Sequence, residues 1–272
     1  MVPQENETDA NIANRLDRVL VARALVSSRE RAQSLIRRGL VQVDGVVVRK
    51  PGQLVAASTS ITVREESEPY VSRGGAKLET ALRHFRLNVR NLRCLDVGSA
   101  AGGFTECLLR RGATEVTAVD VGHGQMHPRL RSDPRVHLYE GINARYISGA
   151  EVGDDYDLAT VDVSFISLTL VLPSVARLVR PGGHILALIK PEFEAGREAV
   201  GRRGIVRSKA ARHRAVEKVT GFATQQIGLH VRGVVASALP GAGGNREYFA
   251  WFQVPSGDDV GDAVQSGGQA DG

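Results

Sequence analysis

The chain has 272 residues, of which 42% are hydrophobic and 24% charged, an ordinary globular composition with room for one large domain or two unequal ones. Its two cysteines, Cys94 and Cys107, belong to no CxxC or Cys/His cluster, so neither a disulfide framework nor a metal site is expected. Residues 1–14 are polar and acidic, unlike a secretory leader, and no apolar run approaches the roughly 20 residues that span a bilayer, so a soluble cytoplasmic protein without a membrane partner is expected.

The formal charge of +5 is unevenly spread. Residues 1–14 hold three acids and no base, and read as a disordered acidic extension. Residues 15–64 hold ten bases against three acids, a net +7 that suits a phosphate-rich partner. Asn14 to Asp17 can open a first helix with an apolar stripe of Leu16, Val19, Leu20 and Leu25. Ser27 and Glu30 form a capping-box pair that predicts a second helix, ending near Arg38 with Gly39 as its left-handed cap. Its buried face is Ala32, Leu35 and Ile36. Val41 and Val43, an Asp44-Gly45 turn and Val46 to Val48 predict a hairpin, and Ile61 to Val63 a further strand. These fifty residues resemble the S4 RNA-binding domain in Arg15-Leu16-Asp17, Ser28-Arg29, Ala32, Leu35-Ile36, Gly39, Asp44-Gly45 and Lys50-Pro51. The resemblance implies recognition of structured RNA by shape and phosphate, with Arg29, Arg31, Arg37, Arg38 and Arg49 as contacts.

Residues 65–70 read as a short acidic linker. From 71 to 254, apolar runs alternate with helix-length segments, the pattern of a largely parallel α/β sheet. The predicted strands are 93–97, 115–119, 136–139, 156–161, 184–189, 231–237 and 247–254, with an Arg-Pro-Gly-Gly turn at 180–183 before the fifth. The first strand ends in Asp96-Val97-Gly98, and Ser99, Gly102, Gly103 and Phe104 follow at a helix start, where glycines let backbone approach a ligand. The Gly-x-x-x-Gly-Gly spacing does not fit a dinucleotide fingerprint. Asp120, ending the second strand, can accept hydrogen bonds from ribose hydroxyls. Together with Val121 and Asn143, these residues form the expected adenosyl-cofactor set, completed by Asp162 at the end of the fourth strand. Lys190 ends the fifth strand, and in an open α/β sheet both strand ends face the ligand crevice. The apolar strand should favour the neutral amine; Asp162 opposes this while holding it in place, which suits Lys190 to act as general base on a hydroxyl.

Across residues 15–254 the chain resembles the hemolysin A-type (TlyA) ribosomal RNA methyltransferases, relatives of the FtsJ 2′-O-methyltransferases. The carrying segments are Ser72 to Leu78, Asp96 to Phe104, Asp120 to Gly122, Asp162 to Ser167, Lys190 to Glu194 and Gly244 to Phe249. The resemblance implies a Rossmann-like class I methyltransferase domain behind a small α+β S4 domain, S-adenosylmethionine as cofactor, and a ribosomal cytidine as target. It also implies a Lys-Asp-Lys-Glu tetrad on Lys77, Asp162, Lys190 and Glu247. The family's longer members carry a C-terminal helix where residues 255–272 are Gly- and Asp-rich and expected to be disordered. Other classes fit the residues less well. A pore-forming cytolysin would need membrane-length apolar helices or long alternating strands, which the sequence lacks. A non-catalytic ribosome-binding protein would not need all four tetrad residues.

Overall fold

The computed structural model describes residues 13–256 except Ser27, Ala57, residues 65–69 and Ala242, and excepting the side chain of Arg202. Most of the expected acidic extension, nearly all of the linker and the tail from 257 lie outside these residues. The chain divides into two compact units, residues 1–68 and 69–272.

In the first unit, β1 (Asn14–Arg15) pairs antiparallel with β4 (Leu54–Val55), while β2 (Val41–Val43) lies between β3 (Val46–Val48) and β5 (Ile61–Val63) in a second antiparallel sheet. The sheets pack with α1 (Leu16–Ala22) and α2 (Arg29–Arg37) around Leu16, Leu20, Ala32, Leu35, Ile36, Val41 and Val55. Two helical expectations need correction. The N-cap of α2 is Ser28, whose hydroxyl accepts the Arg31 amide, whereas Ser27 lies outside the described residues. Leu25 lies past the end of α1 and is 42% exposed, so it does not extend the apolar stripe. Gly39 does adopt a left-handed φ of +75°, and a Cβ there would lie 2.8 Å from the Arg49 guanidinium carbon.

The second unit runs α3 (Arg73–Phe85), β6 (Arg93–Val97), α4 (Gly103–Arg110), β7 (Glu115–Asp120), α5 (Pro128–Arg131), β8 (Val136–Glu140), α6 (Gly149–Val152), β9 (Tyr156–Val161), α7 (Leu168–Ala176), β10 (Val179–Ile189), α8 (Pro191–Glu194), α9 (Lys209–Phe222), β11 (His230–Ala236) and β12 (Tyr248–Gln253). The sheet order is β11-β12-β10-β9-β6-β7-β8; β12 is antiparallel to both neighbours and the other pairs are parallel. Neighbouring residues of the central strands enter different cores: Leu95, Val119, Ala159, Ala187 and Ile189 join one with α7 and α9, while Cys94, Ala118, Leu158, Leu186 and Leu188 join the other with α3 and α4. Burial on both faces explains why these strands read as continuous apolar runs. The turn expected at 180–183 is instead absorbed within β10, as a register shift between Val179 and His184 against β9, with Gly182 at φ +75° supplying the kink. Strand order reverses between β6 and β9, and the crevice beyond their carboxyl ends is the usual ligand position in such sheets.

Candidate active site

A cleft of about 450 Å³ opens at that reversal, lined by Gly98, Ala100, Asp120, Val121, Asn143, Asp162 and the segment Val163 to Ile166. Of the expected cofactor residues, Gly98, Asp120, Val121, Asn143 and Asp162 line it, and Asp96, Ser99, Gly102, Gly103 and Phe104 lie outside its lining. Val119, Val121, Ile142 and Ile166 give the lining an apolar portion suited to a base, and Asp120 brings a carboxylate to it. Both Asp120 oxygens already accept backbone amides, from Ala100 at 2.8 Å and Gly122 at 2.7 Å, which fix the carboxylate and leave each oxygen a further lone pair.

The glycines of the turn act differently from the expectation. A Cβ on Gly103 would sit 2.1 Å from Ser72 Oγ and 2.8 Å from Gly75 N, and one on Gly102 would meet Leu130. The space they spare is taken by the protein itself, so a side chain at 103 would push apart the starts of α3 and α4 and disturb the fold, not the ligand alone. Asp96 is wholly buried behind the turn, accepting the Thr105 hydroxyl at 2.7 Å and the Thr160 hydroxyl at 3.0 Å. Burial pushes its carboxyl up to about 6, against those two hydrogen bonds. Asp96 thus ties β6 to the start of α4 through Thr105 and to β9 through Thr160. Phe104 is buried against Phe249 and Gly74. Ser99 is also buried, and its hydroxyl oxygen has no hydrogen-bond partner among the described residues.

The four tetrad candidates form two lysine–carboxylate pairs. Lys77, in the second turn of α3, donates to Glu247, just before β12, at 2.6 Å, and both side chains are almost fully buried. Lys190 Nζ lies 2.7 Å from Asp162 Oδ1 and donates a better-aligned hydrogen bond of 2.8 Å to Ser164 Oγ, so the Asp162 contact is an ion pair more than a directed hydrogen bond. Burial pushes the Glu247 carboxyl up; Lys77 and Lys190 pull it down, and Asp162 adds to the rise. Glu247 therefore lies within electrostatic reach of Lys190 and of Asp162, which lines the cleft. Parallel strands β9 and β10 deliver Asp162 and Lys190 side by side.

Several supporting residues carried no separate signal in the sequence. Glu194 accepts the Ser167 hydroxyl at 2.6 Å and the Leu168 amide at 2.7 Å, tying the segment after Lys190 to the one after Asp162. Phe165, at φ +63° and 91% exposed, stands on the cleft rim with its ring 5.2 Å from that of Phe193. Their presence in the Asp-Val-Ser-Phe and Lys-Pro-Glu-Phe-Glu runs was legible; their convergence was not.

Residues 70–254 match the family model of FtsJ-like methyltransferases, and residues 14–61 match that of the S4 domain. The chain belongs to the FtsJ-like methyltransferase family. Among relatives of this FtsJ-like protein, the 16S/23S rRNA (cytidine-2′-O)-methyltransferase TlyA of Mycobacterium tuberculosis is 45% identical over 88% of the chain and 90% of the relative. Hemolysin A of Brachyspira hyodysenteriae is 37% identical over 88% of the chain and 100% of the relative. A solved structure described as a hemolysin from Streptococcus thermophilus superposes with a TM-score of 0.71 at 38% identity, covering 94% of this chain and 96% of the other. The hemolysin names attach to those proteins. Among the described residues, no helix of this FtsJ-like chain is long and apolar enough to cross a membrane, and no cluster of metal-ligating side chains occurs.

Proposed function

We propose that this protein transfers a methyl group from S-adenosylmethionine to the ribose 2′-hydroxyl of a ribosomal RNA nucleotide, a cytidine. The observation that carries this reading is the Lys190–Asp162 pair at a cleft that Asp162 and Asp120 line, with the buried Lys77–Glu247 pair in electrostatic reach of it. The cleft fits the cofactor: its volume lies within the usual small-molecule range, it combines an apolar wall with a fixed carboxylate, and the hydroxyl of nearby Ser99 lacks a partner. When bound, S-adenosylmethionine supplies an electrophilic methyl group on a sulfonium.

The remaining chemistry falls to side chains. A ribose hydroxyl is a weak nucleophile until its proton is taken. Lys190, held by Asp162 and Ser164, which both line the cleft, is the residue we assign to take it, and this requires its neutral amine. Asp162 orients that amine. Lys77, held by Glu247, supplies a positive charge that attracts the developing alkoxide. The exposed Phe165 ring offers a stacking face for an unpaired base at the rim. In the first unit, Arg29, Arg31, Arg37, Arg38 and Arg49 are assigned to RNA phosphates. Arg29 does so while also holding Asp17, and Arg37 while donating to Gln33.

Incubating the protein with tritiated S-adenosylmethionine and ribosomal subunits, followed by nuclease mapping of the label, tests the reading. Label on a 2′-O-methylcytidine is expected. Absence of transfer to either subunit and to deproteinised ribosomal RNA would sink it.

A further inference from the structure

Residues 196–214 of the catalytic unit hold seven Arg and Lys against one acid, Glu198. That is a net +6 in nineteen residues, denser than the +7 across residues 15–64. The near-even charge of the rest of this unit hides it, and several of its other arginines are paired. Arg93, Arg111, Arg131 and Arg180 each hold a carboxylate at 2.5–2.7 Å. Among the described residues, Arg197, Arg203, Arg207, Lys209 and Arg214 are exposed and form no ion pair. Five like charges left together without counterions repel one another, and an anionic partner relieves that repulsion.

The segment is built into the catalytic site. Asn245, buried two residues before Glu247, accepts the Val206 amide at 2.8 Å and donates to the Gly204 carbonyl at 2.7 Å. Arg212 donates to the carbonyls of Val206 and Arg207 at 3.1 and 2.7 Å, clamping the same bend from the α9 side. Arg203 sits at φ +71°, a conformation disfavoured for a residue with a Cβ, inside this bend. At the other end, Arg197 lines a small pocket with Phe193, the ring that faces Phe165 on the cleft rim. The positive surface therefore reaches from the cleft rim to the loop that carries Glu247.

We infer that residues 197–214 form a second RNA-binding surface, contacting the phosphodiester backbone that flanks the target nucleotide and steering it to Lys190. The inference rests on the RNA-methyltransferase reading, and its test separates the two. Binding of deproteinised bacterial ribosomal RNA by the full chain is measured over a salt series for the wild type and for Arg203→Gln/Arg207→Gln/Lys209→Gln. Cofactor affinity should not change, and the log–log salt slope should fall by up to about 0.7–0.9 per lost contact. The matching lysine variant, Arg203→Lys/Arg207→Lys, should keep the wild-type slope, which a purely structural role for these arginines would not predict. Arg207→Gln/Arg214→Gln provides a second reading outside the strained bend. Slopes unchanged in both glutamine variants would overturn the inference and leave the segment a solvated face. Methyl transfer is assayed separately, so an inactive wild type would count against the enzymatic reading while the slopes still decide this one.

Discussion

Among the described residues each unit buries one aspartate completely, and the two are treated in opposite ways. Asp17, in α1, is covered by its own partners: Arg15 and Arg29 at 3.0–3.1 Å, both half exposed, and Gln33 at 2.8 Å. The Arg15 hydrogen bond holds its carboxyl far below the usual range, with Gln33 and Arg29 adding to the effect against the pull of burial. Asp96, at the end of β6, meets only two threonine hydroxyls in a dense interior, and burial raises it to about 6. The small unit gives its buried acid cationic partners; the catalytic unit leaves Asp96 without one. The difference is one of partners: cations and an amide around Asp17, neutral hydroxyls around Asp96.

The widest test of this division is Lys190→Arg, which keeps the charge beside Asp162 but removes a usable base. It should bind cofactor and RNA normally and lose at least roughly a hundredfold in single-turnover rate, the lower range for lost acid–base catalysis. Near-normal turnover would make Lys190 a positioning residue and move the base to Lys77. The fragment 70–256 comes next: it keeps both cores of the catalytic unit and should bind cofactor, yet methylate ribosomal RNA slower by one or more orders of magnitude, as expected for the loss of several phosphate contacts. Full activity in the fragment would erase the contrast between units.

The two aspartates themselves give the finer tests. Because the folded-state value of Asp96 lies above its unfolded one, its ionisation opposes folding; the penalty is absent below about pH 4, grows as pH rises, and reaches about 3 kcal/mol above pH 6. Asp96→Asn should therefore gain stability relative to the wild type between pH 4 and 7, measured by denaturant titration at each pH. Parallel profiles would show that Asp96 carries no such strain. Asp17 has the reverse sign: its contribution is present above about pH 4 and fades as pH falls toward its folded-state value. Since its arginines are half exposed, Asp17→Asn should lower the stability of the first unit by only about 1–2 kcal/mol near neutral pH. A melt unaffected by this change would mean that Gln33 and the two arginines find equal partners in water.

Local order was written plainly in the residues. Six of the seven strands of the catalytic sheet lie within about a residue of the expected runs, because burial on both faces leaves continuous apolar stretches in the chain, and the fifth starts earlier, at Val179. Asp162 and Lys190 could be assigned to one crevice because parallel strands of a doubly wound sheet end on the same side. Lys77 and Glu247 could not. They are 170 residues apart, on a helix and a loop, and only the packing of α3 beside β12 brings them to 2.6 Å; resemblance to a family suggested the pair, and periodicity did not. Gly103 was read as making room for a ligand, but its neighbour is the start of α3, a contact that no local pattern encodes. The basic residues 197–214 were visible as letters, yet their meaning depends on which arginines find carboxylates after folding. Charge and periodicity are properties of neighbours along the chain and survive in the sequence; ion pairing and close approach are properties of neighbours in space, decided when the sheet and its helices pack.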